Sequence, residues 1–181
     1  MDRRQLEDAR HRRPRRALQQ ALRRAHARQE VSPVRRRLLQ GRAAVNGLIH
    51  HIDLNASDLA ASKRVYGLLL GALGYTCVRD DGECEWDIRT PQGFASIGLR
   101  QARLLAPAHE RYAPGIHHLA WSVDSRAEVD RIHVLLRDAG TRILEAPALY
   151  PEYSADYYAV FFEDPDGIKL EVLNAPSFSQ R

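Results

Sequence analysis

Ile49-His50-His51-Ile52-Asp53-Leu54 and its near copy Ile116-His117-His118-Leu119-Ala120-Trp121 decide the fold of this chain. His51 and His118 lie 67 residues apart, and each copy runs on into a helix-like stretch that ends at a glycine, Gly74 in the first and Gly140 in the second. A repeat of this kind is one supersecondary unit used twice, and it is a firmer guide to fold than local propensity. In the second copy Ser125 stands three residues before Glu128 as a capping box, and Val129, Ile132, Leu135 and Leu136 follow at helical spacing. In the first, Leu59, Val65, Leu68 and Leu69 form the matching face, with Ser57 or Asp58 as cap. Strand patterns come after each helix: 76–78, 85–89 and 94–99, then 142–144, 157–162 and 168–173. Turns containing Gly82, Pro91-Gln92-Gly93 and Asp164-Pro165-Asp166-Gly167 punctuate them. Each copy reads β-α-β-β-β, and residues 101–115 join the two.

Strand alternation sorts the chemistry. In the first strand Ile52 and Leu54 face the helix, so His51, Asp53 and Asn55 point to the other side. In the matching strand Leu119, Trp121 and Val123 form the apolar set and leave His118, Ala120 and Ser122 opposite. In the last strand Leu170 and Val172 are apolar, so Lys169, Glu171 and Leu173 share the other face. If the sheets curl into a partly open barrel, that face is the inside. His51, His118 and Glu171 then form a 2-His-1-carboxylate set for one divalent ion (Fe, Mn, Ni or Zn) with positions left open for substrate. Each histidine alone reads better as a satisfied interior residue; the repeat and Glu171 together point to ligation. His50 and His117 fall on the helix-packed face by the same parity and are expected to be structural or to support a ligand. Tyr157, Tyr158 and His109 are the candidates for moving a proton. Arg111, Tyr112 and Trp86 are the candidates for touching substrate.

Composition bounds the alternatives. No run approaches the roughly 18 apolar residues of a membrane-spanning helix, and no apolar region follows the basic N-terminus as a secretory signal requires. Cys77 and Cys84 are too few for a disulfide framework and are expected as reduced thiols in a cytoplasmic protein. The net charge of +4 hides a division: residues 1–44 hold fourteen arginines and four acids, a balance of +10, so the remainder carries −6. The domain plan is an Arg-rich, poorly ordered extension over 1–45, a catalytic domain over 46–175 with repeats at about 47–100 and 115–174, and a tail over 176–181. The basic extension also allows nucleic-acid binding, which would weaken steeply with salt.

These motifs resemble the vicinal oxygen chelate (glyoxalase/bleomycin resistance protein/extradiol dioxygenase) superfamily. The resemblance covers about residues 47–174. It rests on the two histidine-pair strands, on Ser57-Asp58-Leu59 and on the run from Phe162 to Glu171. It implies an α+β fold of paired βαβββ modules around a metal cup, frequently in homodimers whose chains share a site, and it places ligands on His51, His118 and Glu171. Glyoxalase I usually has a fourth ligand on the fourth strand, where this chain has Gly98, so a three-ligand site is implied instead. The expected function is a metal-dependent lyase, isomerase or dioxygenase acting on a small oxygenated molecule. The alternative is a metal-free module that binds a drug or toxin in an apolar cup.

Overall fold

The computed structural model describes residues 47–91, 93–104 and 109–178. The extension expected over 1–45, and with it any role toward nucleic acid, lies outside the described residues. Two modules follow. The first comprises β1 (His51–Ala56), α1 (Leu59–Ala72), β2 (Thr76–Asp80), β3 (Cys84–Thr90) and β4 (Gly93–Gln101). The second comprises β5 (His118–Ser122), α2 (Arg126–Asp138), β6 (Arg142–Leu149), β7 (Tyr158–Glu163) and β8 (Lys169–Asn174). No helix among the described residues is long and apolar enough to cross a membrane.

Local chemistry starts and stops the helices in the same way in both modules. Asp58 caps α1, its carboxylate accepting from the Ala61 N–H at 2.9 Å. Ser125 caps α2, its hydroxyl accepting from the Glu128 N–H at 3.2 Å. Gly74 and Gly140 follow the last turns with φ of 88° and 79°. The next residue then returns its N–H to the helix, Tyr75 to the Leu70 carbonyl at 2.9 Å and Thr141 to the Leu136 carbonyl at 3.0 Å. A side chain is disfavoured in that left-handed conformation, which is why both helices end at glycine.

Each module makes a four-stranded mixed sheet, ordered β1-β4-β3-β2 and β5-β8-β7-β6. The β1–β4 and β5–β8 pairs are parallel and the others antiparallel. The histidine-bearing strands β1 and β5 are therefore edge strands of separate sheets. Among the described residues the sheets share no strand pairing and are not closed into a barrel, so the paired-module α+β fold holds without the expected curl. The core explains the arrangement. Tyr66, Leu69 and Leu70 of α1 and Val129, Ile132 and Leu136 of α2 fall in one buried cluster with the helix-side residues of both sheets, among them Leu54, Ile97, Phe162 and Leu170. The two helices touch, Arg131 of α2 donating to the Ala72 carbonyl at the end of α1 at 3.1 Å. Apolar burial thus holds helix against helix and leaves the opposite sheet faces for chemistry.

The β7–β8 turn ties the modules together. Asp164 is 7% exposed. One of its oxygens accepts from the N–H groups of Asp166 and Ile168 at 2.9 and 2.8 Å, and the other from the Tyr66 hydroxyl of α1 at 3.0 Å. The Asp166 carboxylate in turn accepts the Ser57 N–H at the end of β1, at 3.0 and 3.2 Å. A stretch legible only as a turn thus bridges both modules.

Candidate functional site

β5 and β8 place His118 and Glu171 on the sheet face away from the helices. In the parallel register His118 faces Lys169 and Ala120 faces Glu171, so all four side chains share that face. His118 Nε2 lies 3.3 Å from Glu171 Oε2. The other glutamate oxygen accepts from the Tyr157 hydroxyl at 2.7 Å. Glu171 is 1% exposed, and burial pushes its pKa up against the opposing pull of Tyr157 and Lys169. Burial lowers the His118 pKa, and the charges of Lys169 and Arg111 lower it further, so the imidazole is neutral at neutral pH. His118 Nδ1 stands 2.7 Å from His117 Nδ1, and one hydrogen shared there leaves His118 Nε2 turned toward Glu171.

The first module repeats half of this. His51 is exposed on β1, with its Nδ1 3.2 Å from His50 Nδ1. His50 and His117 are not in the helix-side core as parity suggested. Both are exposed, precede the first residue of their strand, and lean on the neighbouring histidine. His51 is not brought to the other two candidates: among the described residues no group of three or more His, Cys, Asp or Glu converges. Ser57, where the second module touches β1, is six positions beyond His51, roughly 20 Å of extended strand.

The remaining candidates divide. Tyr157 stands at Glu171, whereas Tyr158, one residue on, points to the helix side and donates to Asp130 of α2 at 2.8 Å. Arg111 donates to Glu163 at 3.0 Å and contributes to the field at His118. Tyr112 is exposed, its ring 5.6 Å from that of His117. His109 lies beside the β7–β8 turn, its N–H bonded to the Asp166 carbonyl at 3.1 Å, and forms no hydrogen bond with His118 or Glu171. Trp86 is buried at 4% exposure on the helix side, against Gly67 of α1 and on the opposite face from the one that carries His118 and Glu171 in the second module. Both cysteines are free thiols. Strand alternation already put Lys169 on the Glu171 face, and the β5–β8 register adds that it faces His118. The Tyr157–Glu171 bond had little sequence signal, because it depends on a tertiary approach across the sheet.

Gly98 on β4 faces Asp53 on β1. A β-carbon there would stand 2.1 Å from an Asp53 carboxylate oxygen, so the aspartate side chain occupies the space that a larger residue would claim. Asp53 is half-exposed and weakly paired with Arg100 at 3.4 Å, so it can swing aside. Gly98→Ala is therefore expected to change stability by less than about 1 kcal/mol, because the lost pair is a weak surface one. Adding Asp53→Ala should make the pair of changes net stabilising by about 0.5–1 kcal/mol, the entropic gain of alanine over glycine in a strand. Urea denaturation of the three proteins checks both.

The family model for the glyoxalase/bleomycin resistance protein/dioxygenase superfamily matches residues 48–172. The uncharacterized protein YqjT of Bacillus subtilis (strain 168) is 36% identical over 131 residues, covering 71% of this chain and 99% of that protein. A solved structure from Bacillus halodurans, provisionally named a glyoxalase, is 28% identical with a TM-score of 0.58, covering 72% of this chain and 97% of the other. A glyoxalase/bleomycin resistance protein from Albidiferax ferrireducens T118 is 26% identical with a TM-score of 0.55, covering 72% and 100%.

Proposed function

This chain belongs to the glyoxalase/bleomycin resistance protein/dioxygenase superfamily, and from that premise we propose that it is a divalent-metal-dependent enzyme acting on a small oxygenated substrate. The observation that carries the reading is the His118–Glu171 pair, with Nε2 and Oε2 3.3 Å apart. Donors about 2.1 Å from one ion lie about 3.0 Å apart in an octahedral arrangement and about 3.4 Å apart in a tetrahedral one. A neutral imidazole nitrogen and a carboxylate oxygen facing each other at that distance repel unless a proton or a cation lies between them. The pair therefore fits a metal. When bound, the ion would polarise vicinal oxygens of a substrate and favour an oxyanion, which suits lyase, isomerase or dioxygenase chemistry.

The protein's own groups have separate tasks in this reading. His117 fixes the His118 ring through Nδ1. Tyr157 holds the second Glu171 oxygen and is the hydroxyl placed to move a proton. His51 supplies the third donor from a second copy of the chain. The support for this is that β1 and β5 are both sheet edges, with backbone groups available for pairing, and that both sheet faces opposite the helices are uncovered by either helix.

The test is the metal content of protein purified without chelators, read by mass spectrometry. About one Fe, Mn, Ni or Zn per chain is expected. Iron would direct the search to catechol-like substrates and dioxygen, the other metals to lyases and isomerases. No metal, before or after reconstitution, would overturn the proposal. That result would favour the second reading, a metal-free binding protein, for which the ring cluster of Tyr150, Tyr153, Tyr157, Phe161 and Phe178 beside Glu171 is the specific observation.

A further inference from the structure

Lys169 opens β8 directly across from His118 and on the same face as Glu171. Its ammonium rests 3.6 Å above the Phe161 ring and, among the described residues, forms no ion pair. The carboxylates around it are engaged elsewhere. Glu163 accepts from both Arg111 and Arg142, at 3.0 and 2.6 Å. Glu171 accepts from Tyr157 at 2.7 Å and Glu145 from Tyr150 at 3.0 Å. Arg111 also keeps a buried Nε with no acceptor. Lys169 and Arg111 are the two cations whose field reaches His118. A half-buried ammonium that feels Glu145 and Glu171 but is in direct contact with neither, beside a guanidinium with a spare donor, is an unfavourable arrangement that an oxyanion would relieve.

We propose that Lys169, with Arg111 beside it, binds an oxyanion group of the ligand, a carboxylate or a phosphate, next to the His118–Glu171 pair. The substrate is then an anion whose charged group is held by β8 while its vicinal oxygens face the metal donors. The assignment of this anion as substrate rests on the enzymatic reading above; the anion site itself does not.

The experiment titrates inorganic phosphate and, separately, acetate into the full chain stripped of metal, followed by amide NMR. Saturable shifts centred on residues 118, 169 and 171 are expected, and the tighter of the two ions identifies the headgroup. Lys169→Gln should weaken the better ion by about tenfold or more, the scale of one lost charge-assisted hydrogen bond. Lys169→Arg should retain binding, and so should Lys63→Gln, which removes an exposed charge paired with Asp80 in the other module. Shifts that fail to saturate, binding equal in Lys169→Gln and wild type, or an equal loss in Lys63→Gln would overturn the proposal. Metal uptake measured on the same proteins separates the two ideas. Lys169→Gln should take up metal like wild type, and a wild type that binds phosphate but no metal would sink the enzymatic reading while leaving the anion site standing.

Discussion

Mixing the His51→Ala and Glu171→Gln proteins should restore metal binding that neither variant shows alone. Each loses one ligand of every site, and the loss of affinity should exceed the roughly 10–100-fold that follows removal of a supporting outer partner. Both should fold. His51 is exposed, and glutamine at 171 still offers Tyr157 an acceptor while relieving the burial of a charge. In a dimer with His51 from one chain and His118–Glu171 from the other, a mixed dimer has one site with both defects and one with neither. Random reassociation of equal amounts makes half the dimers mixed, so about one quarter of the wild-type metal should return. Unfolding and refolding the mixture, then measuring retained metal by mass spectrometry, reads this directly. If each site lay within one chain, mixing would restore nothing.

Asp164→Ala should be among the most destabilising single changes in the described fold. The carboxylate is nearly buried and satisfies three donors at once: the Tyr66 hydroxyl, itself 0% exposed, and the N–H groups of Asp166 and Ile168. Each buried donor left without an acceptor costs about 1–3 kcal/mol, so a loss of about 3 kcal/mol or more is expected. For a domain of this size that is a fall in Tm of roughly 10 °C, measurable by calorimetry. Asp164→Asn should cost less than about 1 kcal/mol, since the amide oxygen keeps the turn N–H groups and its NH₂ can donate to Tyr66. The pH response separates the two roles of the carboxyl. Burial raises its folded pKa above the ordinary aspartate value despite the hydrogen bonds. A raised pKa means that this stabilising contribution is full below the unfolded value and is lost as pH rises through the folded one. Asp164→Asn should flatten that part of the profile. An alanine variant as stable as wild type would show that the turn does not tie the modules.

The parts of the site that alternation could reach were legible in the sequence. β1 shows the period of two in its burial: Leu54 and Ala56 are buried, Ile52 partly so, and His51, Asp53 and Asn55 are exposed. The same rule explains where reading failed. Trp86 is an aromatic on a strand, yet it shares a strand face with Cys84, and its β4 partner Ile97 is in the core. Tyr157 and Tyr158 could not be separated until the start of β7 was known, because a shift of one residue exchanges the two faces. His50 and His117 escaped the rule by standing before their strands. Whether the sheets close into a barrel depends on contacts between modules far apart in sequence, and no periodicity within a strand carries that information.

The shared core of α1 and α2 has a consequence for how such a chain came to exist. Each repeat packs the apolar stripe of its helix partly on its own sheet and partly on the helix of the other, so a single βαβββ unit would leave part of that stripe facing water. Two identical units meeting helix to helix would have formed a symmetric pair before any joining segment existed. Joining two such units in one chain makes that association intramolecular and independent of concentration. Within one chain the two copies are free to differ, and they do: one has Glu171 on its parallel partner strand where the other has Gly98. The interior of this protein is, in that sense, built as a contact surface between two units.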